Sequence, residues 1–580
     1  MARRVGAFAL LTALTAASAF KQPAWLSPIG QLLARTSDAH ECRCFPGDSC
    51  WPATDEWNQL NTTVGGRLIA TKPIGKVCHD SEFGYYDKEA CDSLKANWGF
   101  PETHYETSSS VMAPFFANQS CDPFLKDGQC VIGSYVQYAV AASSACDVKK
   151  TVAFAKSHNI RLVVRNTGHD YYGKSTGAGA LAVWTHRLKG IELLDYESAL
   201  YTGKAMKVGA GVQVMEANEV AKKNNLLVVG GNCPSVGLAG GYTQGGGHGQ
   251  LTTKFGLSAD QVLEWEVITA EGEHLLVSPT SHVDLYWALS GGGGGTYAVV
   301  LSMTIKAHPE LPTASGNLTF SSKGVSQDVY YDTVKTFISQ LPLILDEGGA
   351  SIWLLSPEGF MVTPTTLPGS TKKKLDEIMK PVLDKLTANK MPFAYHSLDF
   401  PSYYEAYSHM NPPANITEFQ LGGRLMPSSL IRNKENIDGF LSALRYIGEK
   451  GAVVSGVTVE PSKIPSGPGN SVNPAWREAA VSIVLGTPFV YTDWELMLKN
   501  QRLMTEVLLP PLEKLSTQSG VYLNEADFNQ PNWKKEFYGS HYQRLLDIKK
   551  RYDPDDAFYV LTGVGSDVWT KQEDGRLCRA

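Results

Sequence analysis

Two short stretches carry the residues best suited to bond-forming chemistry. RNTGHDYYGKSTGAGAL, beginning at Arg165, holds His169 in a Gly-His-Asp turn. GGNCPSVGLAGGYTQGGGHG, from Gly230 to Gly249, holds Cys233 near its start. An imidazole and a thiol are both nucleophiles. Nine glycines in the second stretch let backbone approach a ligand closely, which predicts a site lined by main chain. A further cluster, SGGGGGTYAVV, starts at Ser290.

Glycine clusters invite phosphate-binding readings, and two of them fail here. A P-loop closes on Gly-Lys-Ser/Thr, and SGGGGGTY has no lysine there. A Rossmann turn needs GxGxxG between strand and helix, early in a βαβ unit with an acidic residue beyond, and no stretch fits that context. What remains is backbone amides from separate turns converging on one pyrophosphate.

The elements that must position these turns are legible around them. A helix through Ser157 with Asp147 as its cap precedes a buried strand, IRLVVR, and the turn at Asn166–Asp170 follows at once. AMKVGAGV (205–212) reads as a strand followed by a helix through Lys223. In 263–278, Leu263, Trp265 and Val267 alternate with Glu264 and Glu266, and Glu271-Gly272 turns a hairpin. Between about 311 and 510 the glycine clusters stop. There Leu375, Ile378, Met379, Val382, Leu383 and Leu386 share a helical face around Pro381, and WLL (353–355) and VVSGVTVE (453–460) read as strands. The fold class is α+β: a ligand-binding domain over 125–310, a second domain of antiparallel sheet backed by helices over 311–510, and a tail, 511–580, returning to the first.

A chain of 580 residues is too long for one simple core. A net charge of −6 argues against a nucleic-acid partner. Arg3-Arg4, an apolar run from Val5 to Leu14 and Ala17-Ser18-Ala19 form the three parts of a secretory signal, with cleavage after Ala19. That run is too short to span a bilayer, so no membrane partner is expected. Eight of ten cysteines lie between Cys42 and Cys146. An oxidising compartment would pair most of them, and residues 20–124 read as a loop-rich, disulfide-stapled segment. Cys78 with Cys91, and Cys121 with Cys130, are suitable pairs. Asn61, Asn118, Asn317 and Asn415 head glycosylation sequons.

Five ordered motifs carry a resemblance: RNTGHDYYGKSTGAGAL, GNCPSVGLAGGYTQGGGHG, GLSADQVLEWEVITAEGE, DLYWALSGGGGGTYAVV, and the tail YLNEADF with DPDDAFY. Together the chain resembles the vanillyl-alcohol-oxidase/p-cresol-methylhydroxylase flavoproteins, and within them the berberine-bridge-enzyme-like group with its secreted fungal oxidases. The likeness is close over 125–310, clear over 520–566 and weaker between.

The resemblance implies a two-domain PCMH-type fold and FAD. The cofactor would be held by Arg165, Asn166, Thr167, Gly168, Asp170 and Gly173 from the first stretch, and by Val236, Gly237, Gly240, Gly241, Gly246, Gly247 and Gly249 from the second. It implies a bond from His169 to the flavin 8α-methyl and one from Cys233 to ring carbon six, that is, bicovalent FAD. Cys233 stands open between this tether and a disulfide. If it is the tether, one other cysteine must stay unpaired, with Cys146 the first candidate and Cys578 the second. Val236 matches a position that gates oxygen in plant members, and valine resembles the oxygen-accepting type.

On the substrate face, Tyr522 and Asn524 match a motif that sets a tyrosine over the flavin. A tyrosinate lowered by a nearby cation, with Arg477 as that cation, is one candidate base; a carboxylate, Glu460, is another. The tail departs from the group's pattern at GSHY, where His541 replaces an asparagine. The expectation is a secreted, monomeric oxidase of a small-molecule alcohol or carbohydrate hemiacetal, with O2 as acceptor and no metal. Oxidative cyclisation of a secondary metabolite and a low-turnover flavin-binding protein are the alternatives.

Overall fold

The computed structural model describes residues 42–411, 415–463 and 469–580. The expected signal segment lies outside the described residues. Three sheets organise the chain. In the first, Leu68–Ala70 pairs antiparallel with Tyr138–Ala141, and Leu181–Trp184 and Leu162–Arg165 follow in parallel. The second is antiparallel, in the order Ile191–Glu197, Thr202–Gly209, Val299–Lys306, Val262–Ile268, His274–Val277. Its last pair is the hairpin expected from alternation, with Thr269 and Glu273 bonded across the Glu271-Gly272 turn.

The third sheet has seven antiparallel strands: Phe393–Phe400, Thr313–Ser321, Gly359–Pro368, Ala350–Leu355, Val453–Thr458, Ala479–Pro488, Phe419–Pro427. Helices Gln327–Ile338, Lys372–Ala388, Lys434–Glu449 and Leu509–Leu515 bury their apolar stripes on it. In Lys372–Ala388, Leu375, Ile378, Met379, Val382 and Leu386 are buried and Leu383 half-buried, the face read from the spacing. The sheet's other side meets the first domain through Ala350, Leu425 and Val457, which pack with Trp476, Tyr522, Leu257 and Ala259.

Three expectations change. Ser144, not Asp147, caps helix Ala145–Ser157, its hydroxyl accepting from the Asp147 amide. Asp147 sits inside the first turn and accepts from the Ser143 amide, one residue before the cap, while pairing with Arg67 at 2.6 Å. The N-terminal segment is also more than stapled loop. Helix Thr54–Thr63 packs Trp57 and Leu60 into the core beside the first sheet, and Leu68–Ala70 supplies that sheet's edge. Finally, Cys578 is not free: it bridges Cys42 across 536 residues.

Cys78–Cys91 and Cys121–Cys130 form as expected, with Cys44–Cys50 beside them. Cys146 and Cys233 are the free thiols among the described residues. No helix among those residues is long and apolar enough to cross a membrane. Helix Tyr542–Tyr552 buries Leu545 and Ile548 in the core of the second sheet.

Candidate active site

A cavity of about 280 Å3 opens where the first two sheets meet. Val164 lines it from the first sheet and Val300 from the second, with Thr185, Ala210 and Ala298 at the strand ends, and Tyr522, Asn524, Glu525 and Val560 from the tail. The loop that carries His169 is shaped by Asp170, whose carboxylate accepts from the amides of Tyr172, Lys174 and Ser175 and from the Ser175 hydroxyl. A short acceptor side chain bonding its own following amides folds a tight loop without secondary structure.

The second stretch closes on itself. A Cβ on Gly249 would stand 2.0 Å from the Gly230 carbonyl oxygen, so the two ends of the stretch touch through backbone that only glycine allows. Asn166 fills the space where Cβ atoms of Gly237 and Gly240 would lie, its amide donating to Ala210 at 2.6 Å. The third cluster joins them: a Cβ on Gly294 would meet the Gly241 Cα at 2.8 Å. The three glycine clusters thus form one wall. Tyr407, from a helix of the second domain, donates its hydroxyl to the carbonyls of Gly231 and Asn232, each at 3.0 Å, and holds the backbone just before Cys233.

His169 and Cys233 both reach the cavity, and one hydroxyl connects them: Ser235 Oγ lies 2.9 Å from His169 Nε2 and 3.4 Å from Cys233 Sγ. Burial, reinforced by His104 and Arg165 behind it, pushes the His169 imidazole down to about 3, so the ring is neutral at any ordinary pH. Burial pushes the Cys233 thiol up, and Ser235 works against that.

Of the other expected cofactor residues, Asn166, Thr167, Gly168, Asp170, Val236, Gly237, Gly240 and Gly241 line the cavity. Arg165 lies beneath Gly168, donating to the His104 carbonyl. Gly173 packs on Phe116; Gly246 and Gly247, both in left-handed backbone, and Gly249 form the turn behind the wall.

The substrate face differs from expectation. Tyr522 and Asn524 line the cavity, with the Asn524 amide donating to the Tyr522 oxygen and to the Gly241 carbonyl, both at 2.8 Å. The Tyr522 phenol is pushed well above the ordinary tyrosine range by burial and then by the neighbouring Glu525 carboxylate, the reverse of a cation-lowered tyrosinate. Arg477 is not brought to the cavity; it forks onto Asp260 at 2.7 and 2.9 Å. Nor is Glu460, which accepts from Arg432 and Ser428 at 2.6 Å each. Both charges are neutralised by partners far away in sequence. His541 packs edge-on against Trp287 and contacts the Ser471 carbonyl.

In their place the cavity holds a pair that the sequence reading missed: His248 Nε2 lies 2.9 Å from Glu525 Oε2. Both sit inside quoted motifs, GGGHG and YLNEADF, and a carboxylate directly after Asn524 was the available signal. Lys174 also lines the cavity, its ammonium pushed down to about 8 by burial. Three polar atoms of the lining, Asn166 Oδ1, Asn232 Oδ1 and His248 Nδ1, are buried without a protein partner. Buried polar atoms are rarely left so, and their presence fits a cavity completed by a polar ligand. A glycine wall, a lysine and unpaired donors and acceptors suit a flavin nucleotide.

A two-domain α+β chain with such a cavity belongs to the class of flavin-binding oxidoreductases, and the comparisons narrow this. Residues 136–278 match the FAD binding domain model, and 521–565 the model for berberine and berberine-like proteins. The FAD-linked oxidoreductase sor8 of Hypocrea jecorina is 49% identical over 560 residues, covering 96% of each chain. The bifunctional decalin synthase calF of Penicillium decumbens is 41% identical over 568 residues, covering 96% of this chain and 98% of its own. The crystal structure of the VAO-type flavoprotein MtVAO615 from Myceliophthora thermophila C1 superposes with a TM-score of 0.89 at 40% identity, over 93% of this chain and all of that one. The chain belongs to the VAO-type, berberine-bridge-enzyme-like family of FAD-linked oxidoreductases.

Proposed function

We propose that this chain is a secreted oxidase whose FAD is bonded to both His169 and Cys233, and which oxidises an alcohol-type carbon with O2 reduced to H2O2. The observation that carries this reading is the convergence of a neutral imidazole and a free thiol on one rim of the FAD cavity. The bound flavin supplies the hydride acceptor. What the chain must add is orientation of the C–H bond and an acceptor for the hydroxyl proton.

His248 and Glu525 are placed for that second task. They share one hydrogen bond at 2.9 Å, and His248 leaves Nδ1 without a partner. Tyr522, kept protonated by burial and Glu525, serves as a donor to the substrate oxygen rather than as a base. Val236 lines the cavity, and a valine at this position resembles the oxygen-accepting members of the family. Four disulfides fit an oxidising, extracellular setting. Candidate substrates are small primary or secondary alcohols and carbohydrate hemiacetals. Likeness to a decalin synthase supports a second reading, oxidative ring formation on a secondary metabolite.

The test joins two measurements on the secreted protein. Peptide mass spectrometry is expected to find flavin on the peptides of His169 and Cys233. A screen of alcohols, sugars and phenols is expected to release peroxide with one class of donor. Flavin released intact by acid precipitation would rule out the tethers, and bleaching without peroxide would make the enzyme a dehydrogenase.

A further inference from the structure

We propose that Ser235 is a positioning residue that makes His169 and Cys233 competent for flavin attachment together, by accepting the Nε2 proton of one and donating its own proton to the sulfur of the other. The inference rests on the bicovalent reading above and adds a residue to it.

A serine hydroxyl has one proton to give and lone pairs to accept with, and a neutral imidazole carries its single proton on one nitrogen or the other. Ser235 Oγ lies within reach of both His169 Nε2 and Cys233 Sγ. That leaves two consistent arrangements. With the imidazole proton on Nε2, it is donated to Ser235, whose own proton then points to sulfur. Nδ1 keeps a free lone pair, and the sulfur, accepting from Ser235, gives up its own proton to solvent more readily, since Ser235 opposes the effect of burial on the thiol. With the proton on Nδ1, Ser235 must donate to Nε2, the thiol must donate to Ser235, and neither nucleophile is ready. One hydroxyl therefore couples the two.

The backbone is built to hold Ser235 there. The Gln213 amide donates to the Ser235 carbonyl at 2.8 Å, and the amides of Val214 and Met215 donate to Val236 and Pro234 at 3.0 Å. The first turn of helix Val214–Lys223 thus grips all three residues of Pro234-Ser235-Val236. Ser235 is 6% exposed, so water does not substitute freely for its hydroxyl. Each attachment replaces a ring-system C–H and a side-chain N–H or S–H by a C–N or C–S bond. The two electrons and two protons released reduce O2 to H2O2.

The test uses the full chain as wild type, Ser235→Ala, Ser235→Thr and Ser235→Val, with flavin occupancy of the 169 and 233 peptides measured by mass spectrometry after timed incubation with FAD. Threonine and valine share a shape and differ in the hydroxyl, so that pair answers the question even if the alanine variant does not accumulate. Occupancy of both peptides is expected to fall at least about tenfold in Ser235→Ala and Ser235→Val, with FAD still bound and released by acid, and to stay near wild type in Ser235→Thr. Wild-type occupancy of both peptides in Ser235→Val would overturn the role of the hydroxyl, and loss from one peptide alone would overturn the coupling. A wild-type protein without flavin on either peptide would instead fail the bicovalent reading, and the proposal with it.

Discussion

The wall of the FAD cavity and the seven-stranded sheet are built on opposite plans. In the wall, main chain touches main chain: Gly249 on Gly230, Gly294 on Gly241, with polar side chains such as Asn166 filling the gaps. In the sheet, large apolar side chains do the joining. Trp353, Phe337, Phe440 and Leu444 are fully buried between strands and helices. The wall therefore has little apolar area to give up but almost no steric tolerance. The sheet has much to lose in stability, yet its helix-covered core lies away from the chemistry. Substitutions in the two regions should fail differently.

The largest effect is expected at Gly249. A methyl group there would sit 2.0 Å from a carbonyl oxygen of the backbone, which cannot rotate aside as a side chain could. Gly249→Ala should abolish FAD incorporation, read as loss of flavin absorbance in purified protein; normal flavin content would mean the wall can flex. Its counterpart is Phe440→Ala, which opens a cavity in the sheet's core and should cost about 3–5 kcal/mol in urea unfolding. The surviving folded fraction should keep its flavin. If it too arrives without flavin, the two regions are not separable.

Acid should probe the same division through histidines. Burial holds His104 and His186 down to about 4, and His308 likewise, all before the third sheet begins. An unfolded chain takes up protons on these residues near 6.5 while the folded one does not, so stability must fall as pH drops from about 6.5 towards 4. A fully buried histidine contributes at most about 1.4 kcal/mol per pH unit. Asp122, pushed up to about 6 by burial, binds a proton in the folded state over part of that range and offsets roughly one of them. His169 does not enter this sum, because the proposed bond to the cofactor would change its titration. Thermal melts from pH 7 to 4.5 should show a falling Tm, flattened by His104→Gln. A flat profile in the wild type would show that these rings are hydrated.

The sequence disclosed residue types and local periods well, and tertiary pairings poorly. His169 and Cys233 stood out because nucleophiles within glycine runs are unusual, and the face of helix Lys372–Ala388 followed from spacing alone. Arg477 and Glu460 were misplaced because their neutralising partners, Asp260 and Arg432, lie 217 and 28 residues away. Cys578 stood behind Cys146 as a candidate unpaired thiol because its partner is 536 residues distant. Ser235 and Tyr407 gave no signal at all: a hydroxyl acquires meaning only when folding brings two nucleophiles, or two carbonyls, to it. The cap at Ser144 shows a smaller version of the same limit, since Asp147 donates its amide to the capping hydroxyl and accepts from Ser143 just before it.

The smallest expected effect has the opposite sign, and it completes the contrast between the regions. Gly439 lies on the exposed side of helix Lys434–Glu449, and a Cβ there would find only Leu515 Cδ2, at 3.8 Å, an ordinary contact. Alanine in a helix interior is favoured over glycine by about 0.5–1 kcal/mol, because glycine loses more backbone freedom on folding. Gly439→Ala should therefore raise the unfolding midpoint slightly and leave flavin content unchanged. The same change in chemistry, one added methyl, would abolish the cofactor site at Gly249 and strengthen the chain at Gly439. A loss of stability at Gly439 would mean that close backbone approach governs glycine in the sheet's helices as well as in the cavity wall.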